Sequence, residues 1–418
     1  MRLLYSLFIR IYTIIIHASS LVNDKAKLWI NGRKDWRRKL QEIDFGNKQV
    51  FWFHCASLGE FEQGRPLIEA LKAATHNKIL LTFFSPSGFE LRKDYAHADW
   101  VLYLPADTLS NAKYFVSEVK PKAAFFIKYE FWFNYLYVLK QSQTPAYLIS
   151  GIFRNNQHFF AWYGSWFAKQ LSAFDYFFVQ NENSIELLKK IGHHNASITG
   201  DTRFDRVLQI MHQKKSFKEL DLFCENAIIL VAGSTYFEDE TALHFVMNNF
   251  NQIGSRIKMI IAPHQVNDTR INEIEHLFGK NDCVRYTQFK ENMHARQVLI
   301  IDTIGMLSSL YAYANIAYIG GGLNKGIHNT LEAAVYGIPL IFGNNFNKFD
   351  EAVALVKNEA AFVINDKETL NQIIHKLIRE PDYRKYAGLK SSNYVKSKIG
   401  AVNKILTILE SKKMIVKN

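Results

Sequence analysis

The stretch HCASLGEFEQG, His54–Gly64, follows an apolar run and brings a hydroxyl, a glycine and a carboxylate close together. Ser57 and Gly59 permit a tight turn, which sets Glu60 at the first turn of the helix that follows. A carboxylate there is favoured in its ionised form by the helix dipole and free amides, so Glu60 is a candidate proton acceptor. The plain alternative is a glutamate that only caps its helix. A second stretch, GGGLNKGIHNTLEAAVYGIP, Gly320–Pro339, follows the apolar run Ile316–Ile319. Gly320, Gly321 and Gly322 let the backbone approach an anion, and a helix opening near Asn329 adds amides, so a phosphate is expected there. Glu332, one turn into that helix, is a candidate acceptor for a ribose diol. The alternative is a turn that needs glycine for its own geometry. In AGSTYFEDE, Gly233, Ser234 and Thr235 offer amides and hydroxyls to a phosphate, and in APHQ His264 stands at a strand end. No DxD triplet occurs, nor His and carboxylates at metal spacing, so neither metal nor cofactor is implied.

The elements that must position these residues are strands alternating with helices. Apolar runs fall at Gln49–Phe53, Lys78–Phe84, Trp100–Leu104, Ala123–Ile127, Ala146–Ile149, Tyr176–Val179 and Ala196–Thr199. They resume at Ala227–Ala232, Ile257–Ala262, Val298–Ile301, Ile316–Ile319 and Pro339–Phe342. Helical spacing fits Phe61–Ala74, Asn183–Ile191, Glu238–Phe250, Asn267–Phe278, Ile304–Tyr313, Asn329–Tyr336 and Glu351–Asn358. This α/β alternation predicts parallel sheets covered on both faces, and ligands of such sheets bind at the carboxyl ends of the strands. The polar stretch 206–226 reads as a linker, giving a basic, anchored segment at 1–40, one Rossmann-like domain at 41–205 and another at 227–418.

With 51 Lys plus Arg against 39 Asp plus Glu, the net charge is +12, which suits an acidic partner. No nucleic-acid-binding motif accompanies the charge, and no nucleic acid is expected as a partner. Three cysteines without a CxxC pair exclude a disulfide framework and fit a reducing compartment. The apolar run Leu3–Ala18 is interrupted by Arg10 and falls short of the ~20 residues a spanning helix needs. It is followed by a basic cluster carrying Trp29 and Trp36, so the segment reads as a monotopic anchor. An amphipathic first helix folded onto the core is the competing reading.

Taken together, these stretches resemble the 3-deoxy-D-manno-octulosonic acid (Kdo) transferases of lipopolysaccharide assembly over nearly the whole chain. HCASLGE is similar to the family's His-x-x-Ser-x-Gly-Glu signature, and His328–Ala333 to its His-Asn-x-x-Glu segment. LTFFSPSGFE, YLPADT, KYEFWFN, GDTRFD, AGST and IDTIGMLSSLYAYANIAYIGGG follow the family's order. The resemblance implies a GT-B fold, two Rossmann-like domains facing a cleft. It implies CMP-Kdo as donor, a lipid A precursor as acceptor, inversion without a metal, and residence on the cytoplasmic face of the inner membrane. Glu60 takes the catalytic position, with Ser57, Gly59 and Glu130 on the acceptor side. His328, Asn329 and Glu332 fall on the donor side with the glycine loop, Gly233–Thr235 and His264. Lys128, Tyr236 and Ala333 depart from the family pattern, and Ala262-Pro263-His264 lacks the arginine of the family's Pro-Arg-His, for which Arg270 is a candidate substitute. The same fold also serves UDP-sugar epimerases and other glycosyltransferases, which is the alternative reading.

Overall fold

The structure, a computed structural model, describes residues 1–46, 48–249 and 257–416. The first sheet contains β1 (Val50–Cys55), β2 (Lys78–Phe83), β3 (Trp100–Tyr103), β4 (Ala123–Ile127), β5 (Ala146–Gly151), β6 (Tyr176–Val179) and β7 (Ala196–Ile198). The second contains β8 (Ile228–Thr235), β9 (Ile257–Pro263), β10 (Cys283–Arg285), β11 (Val298–Ile300), β12 (Ile316–Ile319), β13 (Leu340–Gly343) and β14 (Ala361–Ile364). Their spatial orders are β3-β2-β1-β4-β5-β6-β7 and β10-β11-β9-β8-β12-β13-β14. Every pairing is parallel.

A parallel strand is covered on both faces and therefore reads as a near-continuous apolar run. In β1 every residue of VFWFHC is buried. Its side chains alternate between two cores: Trp52 packs with Leu80, Phe126 and Leu148, while Phe51 and Phe53 pack with Leu81, Phe125 and Ile149. In each sheet the winding reverses once at the centre. The first reversal lies between β1 and β4, where His54 is paired with Phe126, and the second between β8 and β12, where Gly233 is paired with Ile319. Crevices for ligands open beyond the carboxyl ends of strands at such reversals.

The chain forms two compact units, Met1–Arg206 together with Ile399–Asn418, and Val207–Lys398. This corrects the expected boundaries in two places. The second domain does not run to residue 418, because the helix Ala401–Ser411 carries Val402, Ile405, Leu406 and Leu409 into the core of the first unit. Asp205 receives the amides of Gly400 (2.9 Å) and Val402 (3.4 Å) and fixes that return. Residues 206–226, expected as a linker, belong from Val207 onward to the second unit. They hold the end of the helix Thr202–His212 and a second helix, Lys218–Cys224, which buries Leu220 and Phe223. Its Phe223 carbonyl accepts from the buried Lys258 ammonium (2.5 Å).

Two edge strands, β10 and β14, lie outside the expected runs, being only three and four residues long. The helix expected over Asn329–Tyr336 shrinks to Leu331–Ala334, and that over Ile304–Tyr313 to Leu307–Leu310 plus one 3-10 turn. The helix Phe237–Asn249 matches its expected course, except that the expected end, Phe250, lies outside the described residues.

The amino-terminal run is a helix, Arg2–Ser19, folded onto the first unit by one face. Tyr5 donates to the buried Asp107 carboxylate (2.6 Å) and packs edge-on against Phe133, while the Arg2 guanidinium lies over the Tyr137 ring. Much of the rest of its surface is apolar and open to solvent: Leu3, Leu4, Leu7, Phe8, Ile14 and Ile15 are all more than half exposed, with Arg10 and His17 exposed beside them. Among the described residues no helix is long and apolar enough to cross a membrane. Trp29 and Trp36 do not stand at the surface as expected. Trp29 is buried under the Arg33 guanidinium, which also donates to the carbonyls of Trp29, Phe84 and Leu104, and Trp36 packs against Tyr114. Lys25, Lys27, Lys34, Arg37 and Arg38 remain exposed.

Candidate active site

At the carboxyl end of β1 the chain turns through Ala56 and enters the helix Leu58–Ala74 with Ser57 as its N-cap. The Ser57 side chain does not cap a backbone amide; its hydroxyl donates to Glu60 Oε2. Glu60 is half-buried in the first turn, with exposed Gly59 beside it. This is more than the capping arrangement requires, since in a capping box the serine accepts from the helix backbone. Here the hydroxyl orients a carboxylate instead.

Behind this turn His54 is fully buried. Its Nδ1 meets Thr82 Oγ1 at 2.9 Å and its Nε2 faces Glu130 Oε2 at 3.4 Å. Thr82 Oγ1 also accepts from Trp52 Nε1 (2.8 Å), and Glu130 Oε2 accepts from Trp132 Nε1 (2.6 Å). Glu130 follows β4, so the two central strands deliver Glu60 and Glu130 to the same reversal. Sequence reasoning placed Glu130 only through the family pattern and gave His54 no role of its own. The signal was a buried-strand histidine whose partner lies in a neighbouring strand.

Beside Glu130 an open groove of about 450 Å³ is lined by Tyr5, Phe8 and Ile9 of the amino-terminal helix and by Phe131, Trp132 and Phe159. It is mainly apolar, with the Glu130 carboxylate in its wall. The exposed face of the Arg2–Ser19 helix continues outward from it through Phe8.

In the second unit the glycine loop follows β12, and two of its amides, those of Gly320 and Gly321, already have partners. Gly320 N donates to Gly233 O (2.9 Å) and Gly321 N to Asp239 Oδ2 (2.8 Å). The glycines serve the backbone's own packing. A Cβ on Gly320 would stand 2.3 Å from the Ser234 carbonyl oxygen, and Gly321 has φ +90°. The same Asp239 carboxylate accepts from Tyr236 N (2.9 Å) and the Tyr318 hydroxyl (2.7 Å), and burial pushes its pKa up. Thr235 is spent as well. Its hydroxyl donates to the buried Glu240, which pairs with Arg270, and Arg270 also binds Glu273 (2.6 Å). Arg270 is therefore not a free cation at this site.

Near the loop, side chains gather instead. The His264 and His328 rings stack with centroids 4.5 Å apart, and the Tyr236 ring lies 5.0 Å from the first and 5.7 Å from the second. His328 Nε2 meets the Tyr236 hydroxyl at 3.3 Å, and Lys325 Nζ lies 5.0 Å from the Tyr236 ring. Burial and the neighbouring His264 bring His328 down to about 4, and burial with Lys325 lowers His264. Farther along, Asn329 donates to Glu332 Oε1 (2.9 Å) and caps Leu331 N with its Oδ1 (3.1 Å). Burial raises the hydroxyls of Tyr311 and Tyr336, and the Glu332 charge adds to both. Of the expected donor residues, His264 and His328 are in contact and Asn329 and Glu332 form a pair. Gly233, Gly320 and Gly321 are backbone scaffold. Ser234 is held in the left-handed region at φ +56° at a bulge in β8, and Gly322 would set a Cβ 2.5 Å from Gly343 N.

Residues 34–206 match the family described as 3-deoxy-D-manno-octulosonic-acid transferase (kdotransferase). A 3-deoxy-D-manno-octulosonic acid transferase of Aquifex aeolicus is 29% identical over 317 residues, covering 75% of this chain and 81% of that protein. The transferase of Haemophilus influenzae is 23% identical and covers 87% of both. The solved structure of UDP-GlcNAc 2-epimerase from Neisseria meningitidis, bound to UDP-GlcNAc, superposes with a TM-score of 0.64 at 15% identity. It covers 87% of this chain and 100% of that one, a likeness of fold alone.

Proposed function

Because this chain belongs to the 3-deoxy-D-manno-octulosonic acid transferase family and is a glycosyltransferase, we propose that it transfers Kdo from CMP-Kdo to a lipid A precursor of the lipid IVA type. The observation that carries the reading is the Ser57–Glu60 pair at the reversal of the first sheet, inside the family-matched segment and in the same unit as an apolar groove. In the reaction an acceptor hydroxyl attacks the anomeric carbon of Kdo. As the new C–O bond forms, Glu60 takes the hydroxyl proton and the bond to the phosphate of CMP breaks, which inverts the configuration. Ser57 holds one carboxylate oxygen and thereby aims the other. Glu130, hydrogen-bonded by Trp132 and faced by His54, shapes the acceptor side.

The acceptor is an amphiphile, and the exposed face of the Arg2–Ser19 helix with the nearby cations is what a protein resting on an anionic membrane surface would present. In this reading the enzyme works on the cytoplasmic face of the inner membrane. The test is incubation with CMP-Kdo and a tetraacyl lipid A precursor, supplied in anionic vesicles or dispersed in detergent, and read by mass spectrometry. Addition of Kdo mass is expected in both. A Leu4→Asp/Ile15→Asp variant should lose transfer in vesicles and keep it in detergent. Tighter binding of UDP than of CMP, with no Kdo addition, would transfer the assignment to a UDP-sugar enzyme.

A further inference from the structure

In the second unit the amides of Gly320 and Gly321 are already bonded, which leaves nearby side chains to receive much of the charge of a phosphate. Three rings and one ammonium converge at the reversal between β8 and β12. Tyr236 comes from the turn after β8, His264 from the end of β9, and His328 with Lys325 from the loop after β12. The loop carboxylates nearby are engaged. Asp239 is taken up by two amides and a tyrosine hydroxyl, Glu238 accepts from Asn324 (2.8 Å), and Glu240 is paired with Arg270.

Two imidazolium rings stacked 4.5 Å apart would repel strongly, so the pair cannot hold two protons cheaply. The ammonium of Lys325 discourages the first proton as well, and both histidines lie below their ordinary values. An anion arriving beside the rings reverses that balance: it offsets the Lys325 charge and favours one protonated ring, whose second N–H then becomes a donor.

We propose that Tyr236, His264, His328 and Lys325 form a phosphoryl-binding site that takes up a proton on the histidine pair when the ligand binds. The inference rests on the donor reading above for its ligand, a nucleoside monophosphate group, but the site itself is defined by its rings. By linkage, affinity for the phosphoryl group falls as pH rises, because the bound state holds more protons than the free one. The same proton is then available to offset the extra negative charge that CMP acquires when its bond to the sugar breaks.

The test is calorimetric titration of the full chain with CMP and, separately, with methyl phosphate, a phosphomonoester that lacks the nucleoside. It is done between pH 7 and 8 in phosphate-free buffers of low and high ionisation enthalpy. In that range a phosphomonoester, with its second pKa near 6, is already dianionic, so any uptake belongs to the protein. About half to one proton is expected per CMP bound, with affinity falling by up to about tenfold per pH unit. His328→Gln should abolish most of the uptake, and His264→Gln should reduce it. Circular dichroism of each variant confirms that the second unit is folded. CMP binding without proton uptake, or uptake unchanged in the His264→Gln/His328→Gln protein, overturns the proposal. Proton-linked binding of methyl phosphate by a protein that transfers no Kdo would uphold this site and defeat the donor reading alone.

Discussion

At the reversal of the first sheet two carboxylates from different strand ends, Glu60 and Glu130, stand with a buried histidine and a serine hydroxyl. At the reversal of the second sheet the buried carboxylate, Asp239, is spent on backbone amides, and two stacked histidine rings, a tyrosine and a lysine stand beside it. The same winding therefore yields two different chemistries. One end collects two carboxylates, and the other two imidazole rings and an ammonium. The fold supplies the crevice in both cases. What separates them is which polar groups have already been used up by the scaffold. The amides of Gly320 and Gly321 are among the groups so used.

The sharpest way to break this comparison is to remove the charge at the first end. Glu60→Gln keeps the shape of the side chain and its ability to accept from Ser57 but cannot take a proton. Single-turnover Kdo transfer should slow by about 10²–10⁴, the usual contribution of a general base. CMP binding, which the proposed donor site puts in the other unit, should not move. A glutamate that only capped its helix would give the opposite pattern: near-normal turnover and a loss of about 0.3–1 kcal/mol in stability. A folded Glu60→Gln protein with near-normal transfer would return the proton-accepting role to Glu130.

Much of this arrangement was legible in the residues. The strands flanking both reversals, β1, β4, β8 and β12, were all among the apolar runs, because a strand buried on both faces cannot hide its composition. The Glu60 turn was legible because serine, glycine and glutamate each have a local preference there. The fate of the glycine amides was not. Asp239 lies 82 residues before Gly321, and nothing local says that its carboxylate will fold across to that loop. The His264–His328 stack and the His54–Glu130 contact were hidden for the same reason, since both depend on sheet order. The return of Ala401–Ser411 to the first unit was missed because its apolar face at Val402, Ile405, Leu406 and Leu409 would suit either core.

The two units share one device, which sharpens the comparison. Asp107 accepts from the Tyr5 hydroxyl and the amides of Asn134 (3.2 Å) and Tyr135 (3.0 Å), as Asp239 accepts from a tyrosine and two amides. Burial outweighs these bonds and raises Asp107 to about 6. The sign follows directly. A carboxyl whose folded pKa lies above its unfolded value near 3.8 adds stability below pH 4, and that contribution is lost as pH rises through 6. The shift corresponds to roughly 3 kcal/mol. Denaturant melts of the first unit should therefore show a decline in stability across pH 4–6 that Asp107→Asn flattens. An equal slope in the variant would mean that the titrating group lies elsewhere.

The smallest effect expected is at Glu332, where the two ends of the comparison are hardest to tell apart, because a capping carboxylate and a ligand-binding one look alike. Its Oε1 accepts from Asn329, a contact that would hold the carboxylate in place for a ribose diol or merely tidy a one-turn helix. If Glu332 receives the ribose, Glu332→Ala should weaken CMP binding by about 1–3 kcal/mol through lost charged hydrogen bonds. If it only supports the helix, binding stays constant and stability falls by less than about 1 kcal/mol, as for an exposed contact. A 2′-deoxy nucleotide makes the distinction internal to one experiment. Deoxy-CMP should bind the native protein more weakly than CMP, and the Glu332→Ala change should then cost little further, since the two deletions remove the same contact. Fully additive losses would mean that the ribose hydroxyl and Glu332 never meet, and that the second unit grips its nucleotide through the phosphate and base alone.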